Sequence, residues 1–193
     1  LALLFHCKFM EFLQMTLVAP PPAFATCDLC DANETDTTGD FRVLPPVFHD
    51  YGAVRKFCGP VVTLRSLEDN SRVREAVNSP GWLETPQGRV GRVLMVEGAG
   101  SLRRALVGGN LATAAAKNGW AGIVVDGAVR DLAELSVAQV GIRALALMPL
   151  RTAKRDEGQR DVPVQIQGVW VRPGDWLYAD EDGMVVGSGP LHT

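Results

Sequence analysis

Histidine is scarce in this chain: three among 193 residues, at His6, His49 and His192, and they form no motif. No imidazole-centred site is therefore read from them. Basic charge is not in excess either. Nineteen Lys and Arg stand against 22 Asp and Glu, for a net charge of −3. That balance gives no reason to expect a nucleic-acid groove or an anionic membrane surface as the main partner. No apolar run is long and clean enough to span a bilayer. The first nineteen residues, "LALLFHCKFMEFLQMTLVA", are interrupted by His6, Lys8, Glu11 and Gln14. They also lack Arg and a signal-peptide cleavage pattern. Internal repeats and low-complexity tracts are absent. The four cysteines, Cys7, Cys27, Cys30 and Cys58, make no disulfide framework, and reduced thiols in an intracellular, cytoplasmic setting are expected. "CDLC" at 27–30 has metal-site spacing but no second pair, and is read as small buried thiols on a helix.

What is present suits one domain with a real core: 47% hydrophobic and 21% charged residues. "PPP" at 20–22 separates a leader, residues 1–22, from a single domain over 23–193. A targeting role for the leader is left open. "ATCDLCDAN" predicts a short helix with Thr26 as N-cap. "GPVVTLR" (59–65) predicts a strand, and "SLEDNSRVREAVN" (66–78) a helix stopped by "SPG". "GRVLMVEG" (91–98) reads as a buried strand, "SLRRALV" (101–107) as a helical turn, and "NLATAAAKNG" (110–119) as a helix with an Asn-Gly left-handed end. "GIVVD" (122–126), "RALALMP" (143–149), "VPVQIQGVWVRP" (162–173) and "GMVVG" (183–187) read as strands. A βαβα middle and a β-rich end predict a layered α/β domain with a mixed sheet. Trp82, Trp120, Trp170 and Trp176 read as packing residues.

Two strand-to-turn junctions are predicted, at Glu97-Gly98 and Asp126-Gly127, and ligands gather beyond the carboxyl ends of strands in α/β folds. Between them "GGN" opens a helix at 108–110, where free amides and partial positive charge favour carboxylate or phosphate. In "VVDGAVRD" (124–131) an arginine and an aspartate stand side by side. Arg130 can grip a carboxylate with two prongs, and Asp131 offers a hard oxygen ligand of the kind Mg²⁺ takes. Amides, guanidinium and one metal-binding carboxylate together suit a 2-oxo acid. Solvated charges at a helix start are the alternative reading.

Residues 94–131, with "ATCDLCDA", "FCGPVVTLRSLEDN", "IRALALMP" and "VQIQGVWVRPGDWLYADEDGMVV" in the same order, closely resemble the RraA-like family. That family contains regulators of ribonuclease E activity and 4-hydroxy-4-methyl-2-oxoglutarate aldolases, and the likeness spans about residues 24–187. The resemblance implies a swivelling α/β/β sandwich and a ring-shaped homotrimer, with pairing into hexamers left open. It implies a substrate-binding G-x-x-L segment at Gly108, Gly109, Asn110 and Leu111. Arg130 would contact the substrate, and Asp131 would hold a divalent cation, Mg²⁺ or Mn²⁺. Regulator members can lack the Asp, so its presence favours metal-dependent cleavage of a 2-oxo acid to pyruvate, with oxaloacetate decarboxylation at the same site. A non-catalytic ribonuclease-binding protein is the rival. One departure stands out. Longer aldolases carry an acidic residue at the position of Gly109, where it handles a proton. Glu97, Asp126 and Asp180 are the candidates to replace it, although Asp180 also reads as a turn cap.

Overall fold

The computed structural model describes residues 20, 22–86 and 88–192. The predicted leader thus lies almost wholly outside the described residues. Among the described residues four helices and thirteen strands follow in the order α1 (Thr26–Ala32), β1 (Phe41–Val43), β2 (His49–Asp50), β3 (Phe57–Arg65), α2 (Ser71–Val77), β4 (Trp82–Thr85), β5 (Gly88–Gly91), β6 (Val93–Val107), α3 (Gly109–Lys117), β7 (Gly122–Val129), α4 (Leu132–Leu135), β8 (Gly141–Leu147), β9 (Gln159–Arg160), β10 (Val164–Ile166), β11 (Val169–Val171), β12 (Trp176–Ala179) and β13 (Met184–Gly187). The main sheet is mixed, as predicted, in the order β1-β13-β12-β3-β6-β7-β8-β2, with β9 paired to β3. Its centre, β3-β6-β7-β8, is parallel, and the flanking strands are antiparallel.

Burial on both faces explains the apolar runs. Every residue of β7 is buried. On one face Val62, Leu64, Leu94, Val96, Ile123 and Val125 pack beneath α2 and α3. On the other, Val61, Val93, Met95 and Val124 meet Val164, Ile166 and Val171 of the β10–β11 hairpin and Leu177 of β12. Helices, sheet and strands therefore form three layers. Alanine serves α3 twice: it favours helix, and Ala112 and Ala115 let the helix lie close on the sheet. Gly119, at φ 78°, closes α3 in the left-handed conformation that its Asn-Gly sequence predicts.

Several local expectations are overturned, each by tertiary pairing. "SLRRALV" is strand, because Ser101, Ala105 and Val107 pair with Gly127, Ala128 and Val129 across two register shifts. For the same reason β6 does not end at Glu97-Gly98, and Asp126-Gly127 lies inside β7 and is no turn. The helix expected from Ser66 begins at Ser71, since the Ser66 hydroxyl bonds the Asp69 carbonyl and Asp69 bonds the Ser71 amide. Residues 162–173 split into a hairpin at Gln167-Gly168, both at positive φ. Cys27 is exposed and Cys30 half-buried, so neither thiol of "CDLC" is the buried thiol expected, while Cys58, on β3, is buried. Trp170 is exposed and does not serve packing.

Thr26 is the first residue of α1, with Ala25 at the N-cap. Its amide (2.7 Å) and hydroxyl (2.5 Å) both donate to the buried carboxylate of Asp180. Asp180 thus ties α1 to the β12–β13 turn. Burial pushes this carboxyl up, but the hydrogen bonds from Thr26, Asp182 and Gly183 outweigh it and hold it below its ordinary value. A native value below the unfolded one, about 3.9, means that the contribution is present at neutral pH and lost as pH falls through the native value. Asp180→Asn is expected to cost on the order of 1–3 kcal/mol at pH 7. The gap from the parent protein should narrow towards pH 3 in urea denaturation. A gap of constant size would contradict this role.

Candidate active site

Beyond the carboxyl ends of the parallel strands lies a cavity of about 450 Å³. The start of α3 provides Gly108, Asn110 and Leu111, and the end of β7 provides Arg130 and Asp131. Asn70, Arg74 and Asn78 of the α2 region and Arg151, Thr152 and Lys154 after β8 supply further wall. These segments meet because β6, β7 and β8 are parallel neighbours, so the connections leaving them gather at one edge.

Asp131 has a left-handed backbone, φ 64° and ψ 49°, at the N-cap of α4. Asp adopts this conformation more readily than most residues. Its Oδ2 accepts the Gly109 amide at 3.2 Å and lies 3.4 Å from Arg130 Nε. Arg130 makes only a long 3.5 Å bond to the Pro149 carbonyl, so its guanidinium is open to the cavity. The Leu111 amide bonds the Gly108 carbonyl. In the G-x-x-L segment this leaves the amides of Gly108 and Asn110 as donors with no protein acceptor among the described residues.

The paired glycines make room for carboxylates. A Cβ on Gly108 would lie 2.5 Å from Asp131 Oδ2. One on Gly109 would lie 1.7 Å from Glu134 Oε2 and 2.5 Å from Glu134 Cδ. The space that a side chain at position 109 would take is filled by the carboxylate of Glu134. Sequence reasoning missed this residue. The available signal was its spacing, three after Asp131, which one turn of helix converts into proximity; the Glu134 amide bonds the Asp131 carbonyl at 2.9 Å.

The three acids considered for that place lie elsewhere. Glu97 is paired with Arg65 at 2.8 Å. Asp126 is buried in β7, where burial pushes its carboxyl up against hydrogen bonds from Gln167 and the Gly100 amide. Asp180 holds α1 through Thr26, which its reading as a turn cap did not include, and also accepts the Asp182 amide within its own turn. None of the three lines the cavity; Glu134 is not among its lining residues either, but its carboxylate lies against Gly109, next to the lining residues Gly108 and Asn110. Among the described residues no three His, Cys, Asp or Glu side chains form a metal cage, so "CDLC" builds none.

A family model described as RraA-like, Aldolase/RraA, matches residues 26–186. The chain belongs to the RraA-like family. An RraA-like relative from Albidiferax ferrireducens is 69% identical over 170 residues, covering 88% of this chain and 98% of its own. A second, from Burkholderia mallei, is 53% identical over 169 residues, covering 87% and 98%. Both carry 4-hydroxy-4-methyl-2-oxoglutarate aldolase as a provisional name. The solved structure of the RNA-processing inhibitor RraA from Thermus thermophilis superposes with a TM-score of 0.79 at 43% identity, covering 89% of this chain and 96% of that one. A Geobacillus kaustophilus protein described as an S-adenosylmethionine:2-dimethylmenaquinone methyltransferase reaches 0.75 at 38% identity, covering 87% and 97%. RraA-like membership thus accounts for the mixed α/β fold. No helix among the described residues is long and apolar enough to cross a membrane.

Proposed function

We propose that this chain is a divalent-metal-dependent class II aldolase that cleaves 4-hydroxy-4-methyl-2-oxoglutarate to pyruvate, with oxaloacetate decarboxylation at the same site. The observation that carries this reading is the convergence of Asp131 and Glu134 on the Gly108–Gly109 turn, beside an open Arg130. The provisional names of the close relatives point the same way. A ring-shaped homotrimer in the cytoplasm is the assembly and setting proposed for it.

The donor set suits Mg²⁺ or Mn²⁺, which take one or two protein carboxylates and leave the rest of the shell to water and substrate oxygens. Asp131 is the principal ligand in this reading, with Glu134 next to it. When bound, such a cation polarises the 2-oxo group of the substrate. Arg130 and the Asn110 amide hold the C1 carboxylate and orient the C3–C4 bond. Glu134 accepts the proton of the C4 hydroxyl. The C3–C4 electron pair moves onto the first three carbons as pyruvate enolate, while C4 becomes the keto carbon of a second pyruvate. Arg130 stabilises the charge that develops on the enolate. Oxaloacetate loses CO₂ from C4 and passes through the same enolate.

Pyruvate release tests the reading, coupled to lactate dehydrogenase and NADH, on each substrate with and without metal and against blanks for free metal. Metal-dependent release is expected, with Glu134→Gln lowering kcat for the aldol substrate by about 10²-fold, the usual scale for a lost acid–base group. Release unaffected by metal, or a fully active Glu134→Gln, would overturn it. The RNA-processing-inhibitor name of the Thermus relative supports a second reading, a protein that binds and inhibits a ribonuclease. Absence of release above blank with every metal tried would favour that one.

A further inference from the structure

The cavity carries more positive charge than one carboxylate requires. Asn70, Arg74 and Asn78 recur at four-residue spacing, so they share one face along α2 and the turn before it. Facing the same cavity, the segment after β8 brings Arg151, Thr152 and Lys154. Asp131 is the one acidic side chain among the described lining residues. Arg74, Arg151 and Lys154 stand in no ion pair with any carboxylate of the described residues. Several arginines elsewhere in the molecule are matched, among them Arg42 to Asp175, Arg65 to Glu97 and Arg143 to Asp50.

Two further observations show that this wall is built and not incidental. Thr152 is only 5% exposed, yet its hydroxyl has no hydrogen-bond partner. Asn70 Oδ1 is likewise buried and unpartnered, while its amide nitrogen is fixed to the Leu106 carbonyl at 3.2 Å. Buried polar atoms are normally paired, so an unpaired hydroxyl on a cavity wall marks a place that a ligand or water completes. The wall is also held rigidly. The buried carboxylate of Asp69 accepts the Ser71 amide at 2.8 Å and also the Arg155 amide, and Asp69 bridges to Ala153. One residue thereby locks the start of α2 to the segment carrying Thr152 and Lys154.

We propose that Arg74 and Lys154, with the Thr152 hydroxyl, form a second carboxylate subsite that selects 2-oxo acids bearing a distal carboxylate. The proposal rests on the 2-oxo acid reading above, in which Arg130 and the α3 amide take the first carboxylate. A ligand with one carboxylate leaves the Arg74 wall unneutralised. A dicarboxylate brings the second negative charge that Arg74 and Lys154 lack, and guanidinium is a group well shaped to take it.

Calorimetric titration in Mg²⁺ tests this without turnover, using pyruvate as the monocarboxylate and 2-oxoglutarate as the dicarboxylate. The parent protein is expected to bind 2-oxoglutarate at least tenfold more tightly than pyruvate. Arg74→Gln/Lys154→Gln should bring that ratio to within about twofold by weakening 2-oxoglutarate. Arg72→Gln, which removes an exposed cation paired to Glu75 on the same helix, controls for general charge and should leave the ratio intact. Equal weakening of both ligands, an unchanged ratio in the double variant, or a ratio equally lost in Arg72→Gln would overturn the subsite. Failure of the parent protein to bind pyruvate at all would instead remove the 2-oxo acid site, and the subsite with it.

Discussion

Asp131→Asn is expected to lower metal-dependent pyruvate release by about 10³-fold or more, the scale seen when a group stabilising developing charge is removed. Asparagine is the informative replacement. Position 131 is left-handed, and Asn tolerates that conformation where Ala would be strained. Asn also keeps an oxygen near the Gly109 amide, which donates to Asp131 Oδ2. What it removes is the negative charge and with it the affinity for a hard cation. Metal titration should therefore show binding weakened in parallel with activity, while the melting temperature changes little. Full activity in Asp131→Asn would sink the metal-dependent mechanism. Lost activity with unchanged metal affinity would move the cation to other ligands.

The largest expected effect on stability lies at the opposite end of the strands. Phe57 is 2% exposed, and its ring lies on two glycines. A Cβ on Gly122 would come within 2.3 Å of that ring and one on Gly141 within 2.2 Å. Gly122 and Gly141 are register partners on β7 and β8, so a flat floor two strands wide receives one aromatic ring. Phe57→Ala is expected to cost about 3–5 kcal/mol, from lost burial together with the cavity that remains. Filling the floor does not repair it: Gly141→Ala in the parent protein pushes a methyl into the ring and should itself cost about 1–3 kcal/mol. Urea denaturation of both single variants checks this. A loss below 1 kcal/mol in Phe57→Ala would mean that the two strands close over the gap.

The parallel centre of the sheet was legible because its strands are continuous β-branched runs, and those runs reflect burial on both faces. The helix opened by "GGN" was legible from its caps and its alanines. "SLRRALV" was not, since its strand state comes from pairing with β7, to which its own residues give no clue. The site divides in the same way. Arg130 and Asp131 are adjacent in the chain and could be read together. Glu134 was missed: its spacing from Asp131 was the one signal in the chain, and the feature that singles it out is the space over Gly109, a property of two segments 25 positions apart. Glu97, Asp126 and Asp180 were plausible by charge alone, and the partners that occupy them become visible only when Arg65, Gln167 and Thr26 are placed.

The parallel order of β3, β6, β7 and β8 also bears on how the protein folds. Parallel neighbours cannot be joined by a tight turn, so each pairing waits for a long loop to close. The cavity draws its walls from residues 70 to 154, on connections that leave these strands. No hairpin or single helix that forms early contains more than a fraction of it. The complete cavity thus arrives only with these long-range pairings, and regained ligand binding during refolding is expected to report the native topology.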